Sequence, residues 1–203
     1  MIKLFLIIAA FGHIICGITD CMMAYTKNGR FDFEDIKDSR RMNHIFSVMP
    51  LRQLEISMMA GIVALFLASI GYIGLADWMI EYSFTASLIM KISGLFFISL
   101  ITAHHVLCGA VEWFYVKFGI TKEALSNVVE FFKKTGFAAV AYVGLLIYVV
   151  TLFVVVVTGK TKLPCWACIF NTLLAFLILS PTKLPAKGNI ANAFMFLGLS
   201  FLI

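Results

Sequence analysis

The sequence predicts an all-α fold, a polytopic bundle of about six transmembrane helices, and two observations predict it. Of the 203 residues, 62% are hydrophobic and 13% charged, against roughly 25% charged in soluble domains. A water-surrounded core has no room for so much apolar surface. The apolar residues also fall in long runs, broken by charge, Pro or Gly, that suit spans of about 20 residues. Six short-looped helices nearly exhaust the chain, so residues 1–203 are read as a single membrane domain. There is no low-complexity run, internal repeat or Gly/Ser linker to divide it.

The first span is expected over 4–25, interrupted only by His13 and Thr19-Asp20. A mid-helix Asp costs about 3 kcal/mol on insertion, and each Leu, Ile or Phe returns about 0.3 to 0.6. Leu4, Phe5, Leu6, Ile7, Ile8, Phe11, Ile14 and Ile15 roughly offset that cost, so the segment reads as a retained span rather than a cleaved signal. Further spans are expected over 54–73, 87–115 and 137–157, and two short ones over 164–179 and 190–203. The last two are short for a full crossing, and a re-entrant pair is the alternative for them. Between the third and fourth spans, Leu125, Val128, Val129 and Phe132 repeat at helical spacing opposite Lys122, Glu130 and Lys133, after an N-cap at Thr121. That pattern predicts a short interfacial helix.

The net charge of +5 follows topology. Lys and Arg crowd the first loop (Lys27, Arg30, Lys37, Arg40, Arg41, Arg52), the third (Lys117, Lys122, Lys133, Lys134) and the fifth (Lys183, Lys187). These loops share the face expected to be cytoplasmic, which puts both termini outside the cytoplasm in a cell membrane. Trp78, Tyr82 and Trp166 then mark the outer interface, and Trp113 and Tyr115 the inner one. The expected partners are the lipid bilayer, anionic headgroups touched by the 27–52 loop, and a second copy of the chain in a homo-oligomer; nucleic acid is not among them. The stretch from Asp32 to Arg41 reads as a solvated loop.

Ionisable residues inside spans are costly and usually face a partner in the bundle interior. His13, Cys16 and Asp20 fall on one face of the first helix, and His104, His105, Cys108 and Glu112 lie near one face of the third. The two sets occupy the same half of the bilayer and can meet in one polar pocket. The binding candidates are His13, Asp20, His104, His105 and Glu112, with Asn171 and Asn192 from the last two helices. Imidazole plus carboxylate suits Zn or another divalent metal, for which Asp20, His104, His105 and Glu112 are the candidate ligands. His104 and His105 lie about 100° apart on a helix, so they do not chelate one ion unaided.

Three functions fit these residues: a small-molecule or lipid-binding pocket in a transporter-like or accessory protein, an intramembrane metal-dependent lipid hydrolase or other lipid-modifying enzyme, and a structural partner subunit. Cys165 and Cys168, as Cys-Trp-Ala-Cys after Pro164, are the redox candidates, because a Cys-x-x-Cys at a helix N-terminus lowers a thiol pKa. There is no phosphate-binding Gly-rich loop, His-Glu-x-x-His, Gly-x-Ser-x-Gly or dinucleotide fingerprint, which speaks against an ATP-driven pump or a soluble-type hydrolase. On helix 2, Ser57, Ala60, Gly61, Ala64 and Ala68 form a small-residue face suited to close helix contact.

Four short patterns carry a resemblance: Gly17-Ile18-Thr19-Asp20, Leu51-Arg52-Gln53-Leu54 leading to Ser57, Ala103-His104-His105, and Gly188-Asn189-Ile190-Ala191-Asn192 with Met195-Phe196. In these the chain resembles a microbial family of small multi-span membrane proteins of unknown function. The resemblance covers nearly the whole chain; it implies a fold and no activity.

Overall fold

In the computed structural model, which describes residues 1–135 and 137–203, the chain is almost wholly helical. Helix α1 (Ile2–Ala24) runs into a two-residue hairpin, in which β1 (Tyr25–Thr26) pairs antiparallel with β2 (Gly29–Arg30). Gly29 takes φ +126° there, a region closed to most side chains. A 3-10 turn (Phe33–Lys37) and α2 (Ser39–Phe46) complete the first loop. Next come α3 (Leu51–Trp78), α4 (Phe84–Lys117), α5 (Lys122–Thr135) and α6 (Phe137–Val157). A second 3-10 turn (Cys165–Ile169) precedes α7 (Thr172–Leu179) and α8 (Lys187–Leu202).

Among the described residues, four helical stretches are long and apolar enough to cross a membrane: α1, α3 with the turn that follows it, α4, and the stretch ending in α6. The two segments expected as fifth and sixth spans differ in form. Residues 164–179 are split into the 3-10 turn and the eight-residue α7. Asn171 makes the break: its side chain accepts from Leu173 N–H at 3.0 Å to cap α7 and donates to the Val149 carbonyl of α6 at 2.9 Å. The other segment is α8, 16 residues long.

Helices α1, α3 and α4 form the centre of the bundle, with α6 against α4 and α8 against α1. Small residues allow this packing. A Cβ on Gly12 would lie 2.5 Å from the Ala64 carbonyl, so α1 meets the Ser57–Ala68 face of α3 almost backbone to backbone. Helix α8 runs antiparallel to α1, with Asn189 beside Gly17 and Phe196 beside Ala9, so the two chain ends lie together.

At about 1.5 Å per residue, the 34-residue α4 is about 51 Å long, well beyond the roughly 30 Å of a bilayer core. Its C-terminal part packs with the first loop and α5 in a second core of Met42, Ile45, Phe46, Tyr115 and Leu125. The segment from Asp32 to Arg41 is solvent-facing, as expected, but ordered as a 3-10 turn and the start of α2, and the residues that follow it form a folded cap. Asp38 caps α2 through the backbone N–H groups of Arg40 and Arg41, and Asp35 accepts from Arg41 at 2.5 Å. The charges stay outside while Met42, Ile45 and Phe46 turn inward. The helix expected between the third and fourth spans is α5, and Thr121 Oγ1 caps it by accepting from Ala124 N–H at 3.1 Å.

Candidate functional site

The site grows from the polar residues of α1. His13, Cys16 and Asp20 recur at three- and four-residue spacing and so share a face, which points between α4 and α8. His105 of α4 meets Asp20 there, Nδ1 to Oδ1 at 3.0 Å, and its Nε2 lies 3.2 Å from the Ser57 carbonyl of α3. Gly61 makes the space, since a Cβ at that position would overlap the His105 ring. Asn189 of α8 donates from Nδ2 to Asp20 Oδ2 at 2.7 Å, and its Oδ1 accepts from His13 Nδ1 at 2.8 Å. His13 Nε2 is 3.3 Å from the Tyr72 hydroxyl, which donates to Asn192 Oδ1 at 2.8 Å. Thr172 at the start of α7 donates to the same Asn192 oxygen at 2.8 Å.

The polar chain thus runs Thr172, Asn192, Tyr72, His13, Asn189, Asp20, His105 and Ser57; with the Tyr72 proton on Asn192 and the Nδ1 proton of His13 on Asn189, a neutral His13 meets Tyr72 with no hydrogen between them. Its geometry fixes a proton count. The Ser57 carbonyl only accepts, so His105 Nε2 carries hydrogen, and the Nδ1 to Oδ1 bond needs one proton on either side. The Asp20–His105 pair therefore holds two protons and has zero net charge, as an ion pair or as its neutral tautomer. A buried, uncompensated charge is avoided in both forms.

Beside this chain lies a cavity of about 380 Å³. Asp20, His104, His105 and Glu112 form its polar wall, with His13 and Asn192 at one end. Leu65, Phe97, Ile101 and Phe176 supply apolar wall. Arg30, Asp32 and Lys187 mark the end nearest the first loop, where Arg30 is bonded to Asp32 at 2.6 Å and to the Lys183 carbonyl. The Asp32 hydrogen bond raises the Arg30 pKa above its ordinary value.

Two polar groups on the cavity are less engaged than the rest. His104 meets the Cys108 thiol at 3.5 Å from Nε2. Glu112 Oε2 is sealed from solvent and has no hydrogen-bond partner among the described residues. A buried acceptor in that condition costs about 1–3 kcal/mol.

The expected ligand set for a metal was Asp20, His104, His105 and Glu112. Among the described residues, the group whose ligand atoms all lie within 4.8 Å of one another is instead Cys16, Asp20 and His105. His104 and Glu112 line the same cavity but stand outside that group: His104 is turned about 100° from His105, and Glu112 lies about 10.5 Å further along α4. Asn171 does not line the cavity; its side chain is spent on the α7 cap and on α6. Cys165 and Cys168 are free thiols on the second 3-10 turn, outside the cavity, and no α-helix begins at that pair. Thr172, Tyr72, Asn189 and Ser57 are the members of the chain that sequence reading did not rank as site residues. Asn189 was visible as an amide near the start of a span, whereas Tyr72 looks like any interior aromatic.

A family model described as a family of unknown function (DUF6796) matches residues 1–201. Its extent agrees with the whole-chain resemblance drawn from the sequence, and it too carries no activity; its description says nothing of a membrane or of microbes. No curated protein and no solved structure matches the chain.

Proposed function

We propose that this chain, which belongs to the family of unknown function DUF6796, is a multi-pass integral membrane protein that binds a small amphipathic molecule or lipid. The binding place is the cavity between α1, α4 and α8, and the role is that of a transporter-like or accessory protein. Glu112 carries this reading. A carboxyl oxygen buried without a partner destabilises the fold, and because the Glu112 side chain lines the cavity, a turn of that side chain would bring the oxygen to the hydroxyl or ammonium of a guest. The apolar wall at Phe97, Ile101 and Phe176 takes the guest's hydrocarbon part. A volume of about 380 Å³ suits one small ligand.

The bilayer placement follows from charge. The basic first, third and fifth loops face the cytoplasm of a cell membrane, with both termini on the other side. Six passes result, the last two short. The break at Asn171 supports counting residues 164–179 as a pass, because interrupted helix is tolerated at membrane depth where protein surrounds it, and Asn171 is 1% exposed.

The test is mass spectrometry of small molecules and lipids retained by detergent-purified protein, wild type beside Glu112→Gln and His104→Ala. A molecule held by wild type in defined ratio and lost from Glu112→Gln supports the pocket. Equal retention in all three proteins, or none in wild type, sinks it and favours a packing subunit.

A further inference from the structure

Independently of what the cavity holds, we infer that Cys16, Asp20 and His105 form a binding site for one thiophilic divalent transition ion of the Zn²⁺ class. Their ligand atoms lie within 4.8 Å of one another, from two helices, all three on the cavity wall. Bond lengths of 2.0 to 2.3 Å place tetrahedral ligands roughly 3.3–3.8 Å apart, so a side-chain closure of about 1 Å completes the set.

The outer contacts are already those a metal site needs. A ligating histidine holds its orientation by donating its other ring N–H to a carbonyl or carboxylate, and His105 Nε2 already faces the Ser57 carbonyl at 3.2 Å. The Asp20 carboxylate is held at Oδ2 by Asn189 Nδ2 at 2.7 Å, which leaves Oδ1 for the ion. Asn189 is fixed in turn by His13 at 2.8 Å. One thiolate, one imidazole and one carboxylate favour Zn²⁺ or Co²⁺ over Mg²⁺ or Ca²⁺. Three protein ligands leave a fourth position open towards the cavity.

Charge balance agrees with this geometry. Without metal, the Cys16 thiol is neutral and the Asp20–His105 pair carries no net charge. On binding, the ion forms bonds to Sγ, Oδ1 and Nδ1; the thiol proton and the proton shared between Nδ1 and Oδ1 leave for solvent. The site then holds a thiolate, a carboxylate, a neutral imidazole and a divalent ion, again zero. Exchange of one ion for two protons thus leaves the net charge of the site unchanged, which spares the buried Cys16 and His105 an uncompensated charge.

The test uses full-length protein in detergent, stripped with a chelator. Zn²⁺ is titrated by calorimetry in buffers of different ionisation enthalpy, and Co²⁺ by absorption. The expected result is one ion per chain with release of about two protons and a thiolate-to-cobalt charge-transfer band. Cys16→Ser abolishes the band and weakens Zn²⁺ binding by more than about 100-fold, whereas Cys21→Ser and Cys168→Ser keep both. Elution profile and helical circular dichroism confirm that each variant is folded, and the wild-type band needs no variant. Absence of the wild-type band overturns the site. So does a band that survives in Cys16→Ser or is lost in Cys108→Ser. Because retention of an organic guest by Glu112 is read without metal, failure here leaves that reading standing, and the reverse holds as well.

Discussion

His105 and Asp20, 85 residues apart in sequence, are joined Nδ1 to Oδ1 at 3.0 Å across α4 and α1, and the second ring nitrogen of His105 reaches the Ser57 carbonyl of α3 at 3.2 Å. One imidazole thereby ties three helices, and each of its bonds depends on the proton count of the other. Asp20→Ala removes the partner of both His105 Nδ1 and Asn189 Nδ2, while a neutral His105 keeps its Nε2 hydrogen for the Ser57 carbonyl. The expected cost is about 1 kcal/mol, read as a lower melting temperature in detergent. In a double-mutant cycle with His105→Gln, the combined loss should fall short of the sum of the two single losses by about 1 kcal/mol; strict additivity would show that the pair is not coupled.

Two glycines with different surroundings test whether the His105 position is set by space on α3. An added methyl at Gly61 would overlap the His105 ring, while at Gly17 it would meet Ala186 and Asn189 at an ordinary 3.6 Å. Gly61→Ala is therefore expected to destabilise by about 1–3 kcal/mol, the usual cost of overpacking, and Gly17→Ala by much less. Equal melting temperatures for the two variants would mean that the helix pair adjusts more freely than the packing suggests.

Much of this was legible in the sequence, for reasons that separate local signals from long-range ones. The helices α1, α3, α4 and α6 follow from long, predominantly apolar runs, and α5 from its Thr121 cap and amphipathic spacing. His13, Asp20 and His105 stand out because ionisable groups are rare in such runs. What was not legible depends on partners distant in sequence. The break at Asn171 relies on a carbonyl in α6, and the inward turn of Met42 and Phe46 relies on the C-terminal part of α4. The grouping of Cys16 with Asp20 and His105, rather than His104 or Glu112, depends on how α4 is rotated against α1, which no local pattern encodes.

Glu112 gives a prediction of unusual sign. Its Oε2 is buried without a partner among the described residues, so the residue costs stability that an apolar side chain would restore. Glu112→Leu is expected to raise stability by about 1 kcal/mol while abolishing retention of the cavity's guest, the pattern of a residue kept for use rather than for folding. Thermal melting and mass spectrometry on the same preparations check both halves. A fall in stability would mean that Glu112 is satisfied within the fold and would remove the main support for the pocket.

Asn171 tests the broken pass. Its side chain serves two elements at once, accepting from Leu173 N–H at the start of α7 and donating to the Val149 carbonyl of α6. Loss of an N-cap alone costs about 0.5–2 kcal/mol, and here the second bond goes with it. Asn171→Ala should therefore destabilise by about 2 kcal/mol. Asn171→Ser should recover part of this, because a hydroxyl can cap α7 but is too short to span to α6. The same disruption would reach the cavity through Thr172, which follows Asn171 and bonds Asn192. Hydrogen exchange should accordingly rise in α7 and the first turn of α8 in Asn171→Ala while α1 and α3 stay protected. Uniform loss of protection across all helices would show that the break is a support of the whole bundle rather than of its last two segments.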